Sequence, residues 1–447
     1  MVDDYRVLAD GLAADIAAGR LQPGDRLPPQ RRFARRHAIA ASTAARAYGE
    51  LIRRGLAVGE VGRGTFVRAA QAPVQPALAE PGSARVDLEL NFPLLLGEQS
   101  TLLAESLRRM LRPDVLDSAL LPVGAAGTLR ARQAAAALLA RGGWTPTPEQ
   151  VLFAGNGRQA IAATIATLVP VGERLGVEAL TYPVVKGIAA RLGITLVPLA
   201  MDEHGLIPDA VSAAHRAAPM RAVYLQPALH NPLGTTMPEH RRAELTDTLR
   251  GLDIYVIEDA IYGFLREDLP PLVQRAPERT VLVDSLSKRI APGLTLGFMA
   301  CPASVTERIG AALRSGAWTA PRFALDAATQ WITDGTATTI AQAKRNDALV
   351  RQQIVRERLA GCTIHADPHA YHCWWVLPDP WRADTFVAAA ARHDIAVTPA
   401  AAFTIGPAHA PNAIRLALAS PALDTLVTAL DTLNALARKA PEDIGPE

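Results

Sequence analysis

Lys288 lies in Asp284-Ser285-Leu286-Ser287-Lys288-Arg289-Ile290-Ala291-Pro292-Gly293, directly behind the apolar run Val281-Leu282-Val283. A short β-branched run of this kind reads as a buried strand, so two serines and a lysine fall where it ends. An amine at that point is placed to condense with a carbonyl, and the hydroxyls of Ser285 and Ser287, with backbone N–H groups, suit a phosphate. Taken alone, the segment equally describes a surface lysine after a strand. Two more polar clusters follow strand-like runs: Asn231-Pro232-Leu233-Gly234 after Ala222-Val223-Tyr224-Leu225, and Glu258-Asp259-Ala260-Ile261-Tyr262 after Ile254-Tyr255-Val256-Ile257. Strand ends are where open α/β sheets place ligands. Val151-Leu152-Phe153-Ala154-Gly155-Asn156-Gly157-Arg158-Gln159 adds a strand, a glycine-rich turn and the start of a helix. Gly157, Arg158 and Gln159 thus have the form of a phosphate cradle, although Gly-x-Gly alone also marks a plain turn.

Together these segments resemble the fold-type I pyridoxal phosphate (PLP) enzymes of the aminotransferase class I and II group, over roughly residues 85–440. The resemblance implies that Lys288 forms the internal aldimine and that Asp259 pairs with the pyridine nitrogen, keeping the ring able to withdraw electrons. It implies that Tyr262 and Asn231 hydrogen-bond the phenolic oxygen, and that Ser285 and Ser287 contact the phosphate. Tyr182, in Glu178-Ala179-Leu180-Thr181-Tyr182-Pro183, matches the aromatic that stacks on the ring. Arg415, in Asn412-Ala413-Ile414-Arg415-Leu416, matches the arginine that grips a substrate or effector carboxylate with its bidentate fork.

The elements that position these residues need a long chain, and 447 residues suffice for two or three domains with a large core. A hydrophobic fraction of 49%, 20% charge and a net charge of +2 describe an ordinary soluble protein without a global field. Only four lysines stand against 42 arginines, which reads as a coding bias and leaves Lys288 among few candidates for an imine. Cys301, Cys362 and Cys373 are odd in number and lack metal-ligand spacing, so no metal is expected and the thiols read as reduced. The start of the chain has no apolar signal region, and Ala160 to Val171 falls short of the ~18 residues of a membrane span. A cytoplasmic location is the expectation.

Residues 1–69 differ in character, with 12 arginines against seven acidic residues. Leu8, Leu12 and Ile16 recur at helical spacing, with a stop expected at Gly19 before Pro23-Gly24. Leu27 to Ala34 and Ile39 to Ile52 suggest two short helices around a small-residue turn, a helix-turn-helix. Gly55 to Val67 places β-branched residues around a Gly-Arg-Gly tip, the look of a hairpin with a basic point. The segment resembles a GntR-type winged helix-turn-helix, with Leu27-Pro28-Pro29-Gln30-Arg31 opening it and Gly62-Arg63-Gly64-Thr65-Phe66-Val67 closing it. Ser42, Thr43 and Arg46 then face the major groove, while Arg31, Arg53 and Arg63 neutralise phosphates of double-stranded DNA. Ala41 stands where that family often has arginine, so a contact is in doubt there. The structural alternative is a solvated basic surface on a small packing domain.

Residues 70–86 are rich in Pro and Ala without periodicity, a semi-extended linker able to reach on the order of 50 Å and so to seat the N-terminal domain on a neighbouring subunit. From Val86 strands and helices alternate as an α/β domain requires. The expected fold class is therefore α/β: a fold-type I aminotransferase-like domain over 87–440, large part about 110–320 and small C-terminal α+β part about 321–440, behind a winged helix-turn-helix. In the small part Tyr371-His372-Cys373-Trp374-Trp375-Val376 and Arg415-Leu416-Ala417-Leu418-Ala419 read as strands, and His365 and His372 as structural.

Seven residues after Lys288 the resembling enzymes commonly carry an arginine for the cofactor phosphate; here the position is Thr295. Losing that charge-assisted contact weakens phosphate binding by roughly 1.5–3 kcal/mol unless Arg289 or Arg158 replaces it. No tyrosine occurs between Pro113 and Gly127, where relatives supply a cross-subunit aromatic. A GntR-type domain linked to an aminotransferase-like domain resembles the MocR-type regulators. That implies a homodimeric transcription factor with PLP on Lys288, sensing an amino compound or B6 vitamer. The alternatives are an aminotransferase acting on an amino acid and a 2-oxo acid, and a PLP-fold scaffold with a dead site.

Overall fold

Three helices and a hairpin open the chain: α1 (Tyr5–Ala17), α2 (Gln30–Arg36), α3 (Ala41–Arg53), β1 (Ala57–Glu60) and β2 (Gly64–Val67). The computed structural model describes residues 5–18, 20–21, 25–54, 56–60, 64–67, 84–93, 97–405 and 410–441. The expected stop at Gly19 and Pro23-Gly24, the hairpin tip with Arg63, and most of the 70–86 linker lie outside them. The helices close on a core of Tyr5, Ala9, Phe33, Ala47, Tyr48 and Leu51. Tyr48 donates its buried hydroxyl to the Pro28 carbonyl at 2.6 Å, and Ala38 (φ +51°) makes the turn between α2 and α3. β1 and β2 pair antiparallel as the wing.

Next in the chain are β3 (Val86–Leu88), β4 (Val151–Ala154), β5 (Arg174–Glu178), β6 (Thr195–Leu199), the ribbon β7 (Met201–Asp202) and β8 (Gly205–Leu206), β9 (Ala222–Leu225), β10 (Tyr255–Asp259), β11 (Thr280–Ser285) and β12 (Gly297–Ala300). Seven of these strands form the main sheet, in the order β4-β12-β11-β10-β9-β5-β6. β11, β10, β9, β5 and β6 run parallel and β12 opposes both its neighbours. Every residue of β4, β9, β11 and β12 is buried, because helices cover both faces of the sheet. One face packs Ile161, Ile165, Val305 and Ile309 on Val281 and Val283; the other packs Ala131, Ala135 and Leu325 on Leu282 and Phe298. Consecutive residues of one strand thus serve opposite cores, and the strand ends emerge together at one edge.

β13 (Thr363–His365), β14 (His372–Val376), β15 (Ile395–Pro399) and β16 (Ala413–Ala417) build a second sheet, ordered β13-β14-β16-β15-β3. Its core holds Trp375, Trp381, Phe386 and Leu430. Two outcomes depart from the sequence reading. β3, expected to begin the α/β alternation, pairs in parallel with β15 some 300 residues later, Val86 against Ile395. The strand through Arg415 begins at Ala413, two residues earlier than its apolar run suggested, and its edge continues as Leu418 N–H donates to the Tyr371 carbonyl at 2.8 Å.

The N-terminal helices rest on the second sheet's flank. Asp10 of α1 accepts from Arg54 at 2.7 Å and from Arg382 at 3.0 Å, and Glu50 of α3 accepts from Arg54 at 2.8 Å and from the Thr385 hydroxyl at 3.4 Å. Arg382 and Thr385 belong to the start of the helix Ala383–Ala391, which leads into β15. Among the described residues no helix is long and apolar enough to cross a membrane.

Candidate functional site

The ends of β4, β9, β10 and β11 meet the second sheet around a cavity of about 330 Å³, lined by Asn156, Gly157, Arg158, Tyr182, Gln226, Asn231, Asp259, Tyr262, Ser285, Ser287, Lys288, Thr295 and Arg415, with Glu89 to Phe92 as one wall. Ser285 is both the last residue of β11 and the cap of the short helix Leu286–Arg289, so Lys288 is carried one turn past the sheet edge. Its amine donates to the Asn91 carbonyl and lies 4.7 Å from the centre of the Phe92 ring. Burial, then the charges of Arg158, Arg415 and Lys344, pull that amine down to about 7 from its ordinary 10.5. Part of its surface stays open to the cavity. A lysine in this state is substantially neutral, and so nucleophilic, near pH 7.

Asp259 ends β10 with its carboxylate buried. Its Oδ2 accepts from the Tyr224 hydroxyl at 2.5 Å and from Gln226 Nε2 at 2.9 Å, and its Oδ1 from the Ile261 N–H at 3.1 Å. Burial raises its pKa to about 6, with those hydrogen bonds pulling the other way. The carboxylate is therefore poised to take a cationic partner from the cavity. Tyr262 follows on the same turn, its hydroxyl accepting from Asn91 Nδ2 at 2.9 Å and its pKa pushed up to about 12 by burial. Behind its ring, His372 is buried with a pKa lowered to about 3, and its Nε2 lies 2.9 Å from the His230 carbonyl.

Arg415 projects from β16, buried, with one terminal nitrogen on the Glu89 carbonyl and on Thr398 Oγ1 (3.0 Å) and the other 3.5 Å from Asn231 Oδ1. Its Nε is buried without a partner, and burial lowers its pKa. The Glu89 carboxyl, raised by burial, lines the same end.

At the opposite end Asn156 caps the helix Gly157–Leu168 by accepting the Gln159 N–H at 2.9 Å. The first two amides of that helix, Gly157 and Arg158, are left without an intrahelical acceptor. A Cβ on Gly157 would stand 3.2 Å from Ser285 Oγ, and one on Gly297 only 2.5 Å from the Asn156 carbonyl, so Gly157 leaves room for the Ser285 side chain and Gly297 lets two backbones close at this corner. Ser285 Oγ, Ser287 Oγ and Thr295 Oγ1 form a chain with steps of 2.8 and 2.7 Å.

The cavity thus gathers Lys288, Asp259, Tyr262, Asn231, Tyr182, Ser285, Ser287, Gly157, Arg158 and Arg415. Gln159 is the exception: its N–H is spent on the Asn156 cap, its side chain lies against Gly155, and it lines a neighbouring groove with Arg191 and Trp318 that Arg158 also borders. Of the two arginines proposed to replace one at position 295, Arg289 is buried on Asp284 at 2.9 Å, whereas Arg158 lines the cavity. Sequence reasoning missed Asn91, Tyr224, Gln226, Thr398 and Lys344. Gln226 was within reach, since it directly follows β9; Asn91 and Lys344 carry no local signal. Lys344 caps the helix around Lys288 by donating to the Lys288 carbonyl at 3.2 Å and to that of Ile290.

On the N-terminal domain Ser42 and Arg46 are exposed on α3, Thr43 is half-buried between them, and Arg31 is exposed on α2. Arg46 also lies 5.2 Å over the Tyr5 ring, and Arg53 is held by Glu50 at 2.6 Å.

Residues 120–433 match the family model for aminotransferase class I and II, and residues 4–67 that for bacterial regulatory proteins of the gntR family. The HTH-type transcriptional regulator YdeF of Bacillus subtilis is 30% identical over 93% of this chain and 90% of its own length. The pyridoxine biosynthesis regulator PdxR of Corynebacterium glutamicum is 28% identical over 67% of this chain and 66% of its own. Among solved structures, a Pyrococcus horikoshii kynurenine aminotransferase superposes with a TM-score of 0.73 at 20% identity, covering 84% of this chain and 96% of that one. With a strand-end lysine, a buried aspartate and an inward arginine around one cavity, and a winged helix in front, the chain belongs to the aminotransferase class I and II family in its MocR-type form, fused to a GntR-type domain.

Proposed function

We propose that this protein is a transcriptional regulator that reads operator DNA through α3 and its wing and senses an amino compound or B6 vitamer in the cavity around Lys288. One observation supports the reading: a pocket around a buried lysine and a GntR-type helix-turn-helix share one chain, which aligns with an HTH-type regulator over 93% of this chain and 90% of the regulator. Pyridoxal phosphate fits the pocket. The cradle that a Cβ at Gly157 would crowd and a lysine near neutrality beside a buried carboxylate suit it, and the partnerless Arg415 Nε is left for an amino ligand's carboxylate. When bound, the cofactor supplies an aldehyde for amines and a ring that withdraws electrons. Lys288 would present the neutral amine, Asp259 would pair with the ring nitrogen, Tyr262 and Asn231 would hydrogen-bond the phenolic oxygen, Tyr182 would stack on the ring, and Ser285, Ser287 and the Gly157 amide would hold the phosphate end. Arg415 orients the carboxylate of the amino ligand.

Ser42, Thr43 and Arg46 face base edges and Arg31 a phosphate in this reading; Arg53 is already engaged by Glu50 and contributes less. Two sensors on a homodimer would place two readers on a repeated site. The division into 1–69, 70–86 and 87–440 and a cytoplasmic setting belong to the same proposal. The effector need only favour one arrangement of the readers over the other, each 1.4 kcal/mol of preference being tenfold in population.

A second reading, an aminotransferase, is favoured by the complete set of Lys288, Asp259, Tyr262, Asn231 and Arg415 in one cavity. Binding of the cofactor-loaded protein to DNA upstream of its own neighbouring genes separates the two. Sequence-specific retention that falls steeply with salt supports the regulator. Rapid multiple turnover of an amino acid with a 2-oxo acid, without specific DNA binding, supports the enzyme.

A further inference from the structure

We infer that Arg158 supplies the positive charge that holds the phosphate of the bound cofactor, taking a role that Thr295 cannot fill. The inference rests on pyridoxal phosphate being the cavity's ligand. The phosphate end of the cavity is lined by Asn156, Gly157, Arg158, Ser285, Ser287 and Thr295. The three hydroxyls there are neutral and already bonded to one another. A phosphate monoester near pH 7 carries close to two negative charges, and hydroxyls and amides alone leave them uncompensated in a partly desolvated pocket.

The nearby cations can be sorted by what they already hold. Arg289 is buried on Asp284 at 2.9 Å and stacks 5.1 Å from the Phe264 ring. Lys344 is committed to three backbone carbonyls. Arg415 sits at the other end with Asn231 and Thr398. Arg158 differs: it is exposed, it is the second residue of the helix whose first amides lie at the same corner, and among its nitrogens Nε donates to the Tyr182 hydroxyl at 3.3 Å. Both terminal nitrogens are left for a fork-like grip on a phosphate, with Tyr182 holding the guanidinium in place. Its proximity to the Lys288 amine, whose charge it disfavours, agrees with this placement.

Equilibrium titration of the apo protein with pyridoxal phosphate, and separately with pyridoxal, tests the assignment. Affinity is read from the absorbance of the bound aldehyde. Arg158→Ala is expected to weaken pyridoxal phosphate about 10- to 100-fold while leaving pyridoxal within about threefold of the parent. Arg158→Lys, which keeps the charge, retains most of the affinity. Arg158→Ala combined with Thr295→Arg, which returns a guanidinium beside Ser287, recovers at least about tenfold. If Arg158→Ala binds the phosphorylated form as well as the parent, or loses both aldehydes equally, the assignment is overturned. The parent's Lys288-dependent absorbance is the separate check: its presence with an unaffected Arg158→Ala refutes this inference alone, and its absence removes the cofactor reading together with this inference.

Discussion

The chemistry of this site turns on two ionisable groups displaced in opposite directions by the same burial. Lys288 falls to about 7 and Asp259 rises to about 6, so both titrate close to neutrality instead of six or seven units apart. The sign for the lysine is fixed by its neutral form being the nucleophile. Capture of pyridoxal phosphate by the apo protein should speed about tenfold per pH unit up to about pH 7 and then level off, whereas an ordinary lysine would keep accelerating past pH 10. Stopped-flow absorbance across pH 5.5–9 measures it, and a rate still climbing at the upper end would place the amine in water. Asp259 makes a second expectation at this scale. In Asp259→Asn the Tyr224 and Gln226 contacts have a neutral acceptor, and the proposed partner of the ring nitrogen loses its charge. Cofactor affinity should drop by about 1.5–3 kcal/mol, read in the same titration.

At the scale of elements, the contact between the N-terminal helices and the second sheet joins groups of unequal burial. The Arg382–Asp10 pair is partly exposed, with side chains 26% and 33% accessible. Arg54 is enclosed at 5% and is held by both Glu50 and Asp10. Arg382→Ala should therefore shift stability by only about 0.2–1 kcal/mol while raising proteolytic cleavage between the two parts of the chain. Arg54→Ala leaves Glu50 buried with Arg53 as its remaining cation, and should destabilise α1–α3 by about 3 kcal/mol. Thermal melts with limited proteolysis distinguish the two, and equal effects would mean that the contact is not the layered one described. The same helix Ala383–Ala391 leads into β15, whose Thr398 holds Arg415, so one helix and one strand link Arg415 to the N-terminal helices.

For the molecule as a whole, the segment 111–129 leaves Leu111, Leu120, Leu121 and Leu129 more than half exposed. Exposed apolar side chains along one segment suit a covering partner, and in the proposed homodimer a second copy of the chain would take that place. Leu120→Glu with Leu121→Glu should convert a dimer to a monomer in light scattering, and weaken DNA retention far more than cofactor binding. A parent that is monomeric at micromolar concentration would contradict it.

How much of this was legible beforehand differs by kind of information. Residue type and short-range spacing are local, so the strand ends with Lys288, Asp259 and Tyr262, the Asn156-Gly157 turn, and the winged helix could all be read from the chain. Their meeting in one cavity was legible only through resemblance to a family. Four features depended on the fold alone: β3 crossing to pair with β15, the Asn91 carbonyl facing Lys288, the choice of Arg158 over Arg289, and the exclusion of Gln159. Each is set by which distant backbone or charge comes within hydrogen-bonding range, and by how much water is excluded there. Neither quantity is encoded in neighbouring letters: periodicity records which face of an element is buried, while a tertiary contact records what buries it.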